Sequence, residues 1–329
     1  MKDKKKTFIL TICLTLCMCA IVILIVLINS LYPDSRGLEY KINADNTTCT
    51  ITGLGTYSSK DLVIPDTIGD YEVTAIADYA FQGTDIETFS GGKNLTRIGM
   101  DAFHNCSELK KVDLPIGITE IGYGAFDLCV RMTEINIPNT VKTIGGNAFC
   151  ACTSLKSIII PDSVTCIESG AFGYCVSLTS ICFPASIRSV GEGLVGNNSL
   201  TTIDVDTNSP VLSSIDGNLY ANFSRVFISY ACAKPDSSFD IPKTVVRIGT
   251  LSFAGCLNLK TISIPKTVDS IGTGIFFMSP NIETIYYDGT VEDWRRIDKE
   301  ADWNANTESI FTIICTDGTI AMDGTVTYN

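Results

Sequence analysis

Imidazole titrates near neutrality, so the chain's one histidine, His104, is the first side chain to test for chemistry. A general base needs a nucleophile within hydrogen-bond reach and a third group to orient it, and no spacing supplies either beside His104. Comparable positions elsewhere hold Asp127, Cys150, Gly173, Gly196, Ala254 and Phe277, so His104 is expected to face solvent. Fourteen cysteines are the next resource, and Cys13, Cys17 and Cys19 fall in an uncharged apolar stretch. Of the remaining eleven, Cys106, Cys129, Cys152, Cys175 and Cys256 share one repeat position with Thr84, Asn198 and Ser279. Stacked at a strand spacing of about 4.8 Å, such thiols sit beyond the mean Cβ separation of about 3.8 Å for a bridge. They are expected to be buried free thiols acting as small hydrophobes with a weak S–H donor. Cys150 and Cys152 form a C-x-C with no second pair at zinc spacing, and the acids between positions 283 and 308 fit no calcium loop. No catalytic residue, cofactor or metal site is assigned.

What must position these residues is a repeat. Pro115, Pro138, Pro161 and Pro184 recur every 23 residues, as do Pro242 and Pro265. The unit reads I-P-x-x-V-x-x-I-G-x-x-A-F-x-x-C-x-x-L-x-x-I-x, and eight copies place their phenylalanine position at Phe81, Phe103, Phe126, Phe149, Phe172, Val195, Phe253 and Phe276. The I-x-I-P piece alternates like a strand buried on one face and closed by a proline that lacks a ladder donor. V-x-x-I-G predicts a second short strand ending in a glycine free to take positive φ. A-F-x-x-C-x-x-L spaces its apolar residues like one helical turn. A single unit cannot bury six or seven apolar groups, whereas stacked coils cover one another. The fold class is therefore an α/β repeat solenoid of short strands and short helical turns.

An N-terminal transmembrane helix is expected to precede it. Residues 8–28 form 21 uncharged positions, about 31 Å as a helix, which matches the hydrocarbon core of a bilayer. That length favours an uncleaved anchor over a cleaved signal, and Asn29-Ser30-Leu31 makes a poor cleavage site. Lys2, Lys4, Lys5 and Lys6 place the N-terminus inside, leaving the repeats outside on a single-pass membrane protein; a secreted chain is the alternative. The net charge is −12, and with +3 on residues 1–31 the remainder carries −15, which argues against nucleic acid.

These units resemble the BspA-type leucine-rich repeat over roughly residues 38–320. The chain divides into a basic tail and anchor (1–31), a capping hairpin (32–64), repeats (65–205), an inserted strand segment (206–240), further repeats (241–287) and a C-terminal cap (288–329). In the cap, Thr290 and Asp293 fit an N-cap and its third-position acid, followed by a strand meander. The resemblance implies a cell-surface protein that binds or adheres without catalysis, its partner an extracellular protein or glycoprotein such as host matrix. A passive envelope spacer and a carbohydrate-active enzyme on a solenoid scaffold are the alternatives. Stacked strands also set outward residues in two columns, one including Lys111, Glu134, Ser157 and Ser180, the other Asp113, Asn136, Ile159, Cys182, Ser263 and Tyr286. These ten are the candidate partner-binding residues, with Ile159 and Cys182 an exposed apolar pair at the middle.

Overall fold

In the computed structural model, which describes residues 37–194, 196–305 and 309–329, the chain winds into a β-solenoid of roughly ten stacked coils. Each coil has three faces. The first is built by the I-x-I pieces, where alternation buries Val112 and Ile135 and leaves Lys111, Asp113, Glu134 and Asn136 outside. These strands pair in parallel and in register, Glu134 against Lys111 and Asn136 against Asp113. The second face consists of two-residue strands, with Ile98, Ile121, Ile144, Ile167 and Val190 in successive register. The glycine that closes these strands has another role than the one expected: Gly122 and Gly145 do not take positive φ. They allow close stacking, since a Cβ on Gly145 would lie 2.6 Å from the carbonyl carbon of Gly122.

The third face corrects the expected helical turn. The A-F-x-x-C segments form no helix, and among the described residues the single α-helix is Val291–Arg296. Backbone N–H groups point to the next coil instead: Phe103 donates to Ala125 at 2.8 Å, Phe126 to Ala148 at 2.8 Å and Phe149 to Ala171 at 2.9 Å. Each segment also carries two left-handed residues four apart, such as Asp101 and Asn105, Gly124 and Leu128, or Asn147 and Ala151, which a right-handed helix cannot hold. The inward Phe–Cys–Leu spacing thus belongs to consecutive turns. Its result is a file of rings: Phe103, Phe126, Phe149 and Phe172 stack at 5.2, 5.7 and 5.6 Å within 8° of parallel.

Residues 206–240 depart from the repeat and then rejoin it. Leu212–Ile215, Asn218–Ala221 and Val226–Ser229 form an antiparallel meander, and Val226–Phe227 pair in parallel with Arg247–Ile248 on the second face. This coil has a truncated third face. Five positions separate Phe227 from Cys232, against eight from its register partner Ile248 to Cys256. Ser238–Asp240 already form a first-face strand, paired with Thr261–Ser263. Near this point the core passes from one hydrophobic cluster, Leu38 to Ala231, to another, Tyr220 to Ile320.

An antiparallel element closes one face at each end, the second face at the start and the first at the finish. Glu39–Ile42 pair antiparallel with Thr48–Gly53 at the start, and Thr312–Ile314, Gly318–Ile320 and Val326–Tyr328 make a meander at the finish. The capping box is present: Asp293 N–H donates to Thr290 Oγ1 and Thr290 N–H to Asp293 Oδ2, both at 3.1 Å. It starts the helix that buries Val291 and Trp294. Among the described residues no helix is long and apolar enough to cross a membrane, and the anchor expected over residues 8–28 lies outside them.

Candidate recognition face

The first face carries the candidate residues, and strand register decides which of them it gathers. Asp61–Val63, Thr88–Ser90, Lys111–Asp113 and Glu134–Asn136 form one four-stranded sheet. Lys111, Asp113, Glu134 and Asn136 are therefore immediate neighbours, and with Ser157 and Ile159 they line a shallow depression of about 370 Å³. Ser157–Ile159 are held to the sheet through an isolated bridge between Asn136 and Ile159. Ser180–Phe183 then pair with Thr202–Val205 as a separate two-stranded sheet, so Ile159 and Cys182 lie at a break in the ladder. Ile159 is 80% exposed, and Cys182 is exposed too. Ser263 and Tyr286 are paired with each other in the sheet of the second repeat block.

Two residues on this face escaped the sequence reading. Ile314 stands next in the Tyr286 column, by register, and Asp240 stands before Ser263. With Ser263, Tyr286, Asp288 and Thr316 they line a second concavity of about 520 Å³. The signal was there in Thr312-Ile313-Ile314, which repeats Thr284-Ile285-Tyr286. Ion pairs border the face: Glu87 reaches Lys110 at 2.7 Å and Lys60 at 3.5 Å, and Arg131 meets Glu108 at 2.6 Å. The hydrogen bond from Lys110 holds the Glu87 carboxyl below its ordinary range. Such exposed pairs are screened by solvent, so they set the charge pattern more than the stability.

On the third face, His104, Asp127 and Cys150 occupy one position on three successive coils. The expectation of a solvent-facing His104 needs correction: its side chain is 27% exposed, and Nδ1 lies 3.2 Å from Asp127 Oδ2. The contact is an ion-pair approach without hydrogen-bond alignment. Burial raises the Asp127 pKa, opposed by His104 and by the Cys150 thiol. Burial and the Asp127 charge push the Cys150 thiol up to about 11, so the sulfur stays protonated at neutral pH. A nucleophilic cysteine needs the opposite shift.

The recurrent cysteines have a use that spacing did not reveal. Four of the five thiols donate to the phenylalanine carbonyl one coil back: Cys106 to Phe81 at 3.1 Å, Cys129 to Phe103 at 3.3 Å, Cys152 to Phe126 at 3.2 Å and Cys175 to Phe149 at 3.1 Å. Ser279 does the same to Phe253 at 2.6 Å. In the sixth copy Asn197, rather than Asn198, takes this place, its Nδ2 donating to Phe172 O at 2.9 Å. That copy is one residue shorter, with Leu200 following Leu178 by 22 positions. Val195, read as its phenylalanine equivalent, lies outside the described residues, and Leu194 packs against the core there.

Parallel coils, inward columns of Ile, Leu and Phe and an outward strand face define a leucine-rich-repeat solenoid. The chain belongs to the family described as the BspA type leucine rich repeat region, with six copies matched over residues 74–201, 143–234 and 224–301. It is similar to the crystal structure of a leucine rich cell surface protein from Faecalibacterium prausnitzii, with 25% identity and a TM-score of 0.60, over 80% of this chain and 97% of that one. The pneumococcal vaccine antigen PcpA shares the fold, at 18% identity and a TM-score of 0.63 over 78% of this chain and 81% of that one. Among curated proteins none matches the chain.

Proposed function

We propose that this protein is a cell-surface recognition or adhesion module that binds an extracellular protein or glycoprotein through its first face, held to the membrane by residues 8–28 and without catalysis. One observation carries the reading: parallel register sets Lys111, Glu134, Asp113 and Asn136 into paired outward columns on a sheet whose inner side is core. Columns of this kind present a pattern to a partner along many coils at once. Family membership and the similarity to a leucine rich cell surface protein support the location. The exposed apolar side chain of Ile159, beside the depression, supplies the contact expected to matter most.

The test begins with saturable binding of the purified protein to a panel of matrix proteins, mucins and whole cells. For the partner found, Ile159→Asp combined with Cys182→Ser is expected to weaken binding at least tenfold, about 1.4 kcal/mol. Unchanged retention rejects this face as the contact surface. A complete lack of saturable binding would favour a passive spacer.

A further inference from the structure

The ladder of small donors on the third face reverses direction at one coil. Elsewhere the thiol at this position points back to the preceding phenylalanine carbonyl. Cys232 sits on the truncated coil, and besides Tyr230 O of its own turn at 3.3 Å its sulfur reaches forward, 3.2 Å from Ala254 O and 2.6 Å from the sulfur of Cys256. Among the described residues no other pair of thiols is recorded in contact. Both side chains are buried, Cys232 at 5% exposure and Cys256 at 0%. A separation of 2.6 Å is about half an ångström beyond a bonded S–S length of about 2.05 Å, so small side-chain rotations suffice to join them.

We propose that Cys232 and Cys256, free thiols in this structure, form an intramolecular disulfide when the chain folds in the presence of a disulfide oxidant. One thiolate attacks a sulfur of the oxidant, breaking its S–S bond and giving a mixed disulfide. The second thiolate then attacks the protein sulfur of that mixed disulfide, and the oxidant leaves as two thiols that carry the two protons. The protein is oxidised by two electrons and the oxidant reduced by two. In the cell the oxidant is a thiol–disulfide oxidoreductase outside the cytoplasm, and this part rests on the proposed surface location. The bond ties the inserted meander to the second repeat block at the coil where the third face is cut short. Ladder thiols such as Cys129 and Cys152 stay reduced, because each contacts a carbonyl and, among the described residues, no second sulfur.

The full chain is refolded in detergent in a buffer of oxidised and reduced glutathione, alkylated under denaturing conditions without reductant, digested and examined by mass spectrometry. The expected result is one linked peptide pair, Cys232 to Cys256, lighter by two hydrogens, with Cys129 and Cys152 fully alkylated. Reductant is expected to lower the thermal midpoint of the oxidised protein by several degrees and to leave the Cys232→Ser plus Cys256→Ser variant unmoved. Alkylation of Cys232 and Cys256 to the same extent as Cys129 overturns the proposal, as does an equal response of wild type and double variant to reductant. A bond that forms on refolding but is missing from protein harvested from its native host upholds the pairing and counts against the surface location.

Discussion

At the scale of single residues, the side chains with altered chemistry serve packing and turns. Asp45 shows this at the opening hairpin, where its carboxylate accepts the backbone N–H of Thr47 at 2.9 Å, the Thr48 hydroxyl at 2.7 Å and the Thr48 N–H at 2.9 Å. These bonds, led by the Thr47 amide, lower its pKa from 3.8 to about 2. A folded pKa below the unfolded one means the carboxylate supports the turn above about pH 4, with that support lost as the pH falls through 2. The Thr47 amide shift, followed by NMR, is expected to titrate with a midpoint near 2, and a midpoint at the ordinary aspartate value would refute the account. The cysteine column was legible as buried free thiols because Thr, Asn and Ser occupy the same place. Its direction was hidden, since spacing says nothing about which carbonyl a donor meets across coils. The partner of His104 was hidden for the same reason, Asp127 being 23 positions away.

At the scale of elements, the two strands of a coil follow from alternation and its proline stop, and both form in most coils, Ser157–Ile159 being reduced to a single bridge. The third piece was misread, because inward residues three apart arise from a helix and from consecutive turns alike. Left-handed backbone decides between them, and residue type announces it at Gly124 and Gly170 but not at Leu128, Ala151 or Tyr174. Gly124 has φ +57, and a Cβ there would fall 1.9 Å from Asp101 Oδ1. Gly124→Ala is therefore expected to destabilise by about 1–3 kcal/mol in urea melts. Leu128→Gly, at a φ of 59 on a side chain 37% exposed, is expected to cost less than Gly124→Ala, as relief of the left-handed backbone offsets part of the lost packing and of the added freedom of the unfolded chain. Equal losses in the two variants would contradict this assignment of the turns.

At the scale of the whole molecule, stacking makes stability a property of neighbours, and the hydrophobic interior is divided near residues 220–231. Trp294 and Trp303, the chain's two tryptophans, both lie in the second block. Tryptophan fluorescence then reports that block, while circular dichroism reports all coils. Phe149→Ala, which removes a ring stacked between Phe126 and Phe172, is expected to cost about 3–5 kcal/mol in the first block. It should shift the dichroism midpoint in denaturant and leave the fluorescence midpoint in place; equal shifts would show one cooperative unit. The 23-residue period disclosed this architecture, and the division went unseen because it depends on a turn shortened by three positions within a meander that has no period. The hairpins at either end have a consequence of their own. A parallel ladder invites another parallel strand without limit, and nothing in the repeating unit specifies a last rung. By reversing polarity at Glu39–Ile42 on the second face and at Gly318–Ile320 on the first, the chain gives an approaching molecule one sheet at each end that does not continue its own lattice. A copy docking end to end therefore meets a mismatched sheet at either end, which works against growth into a filament.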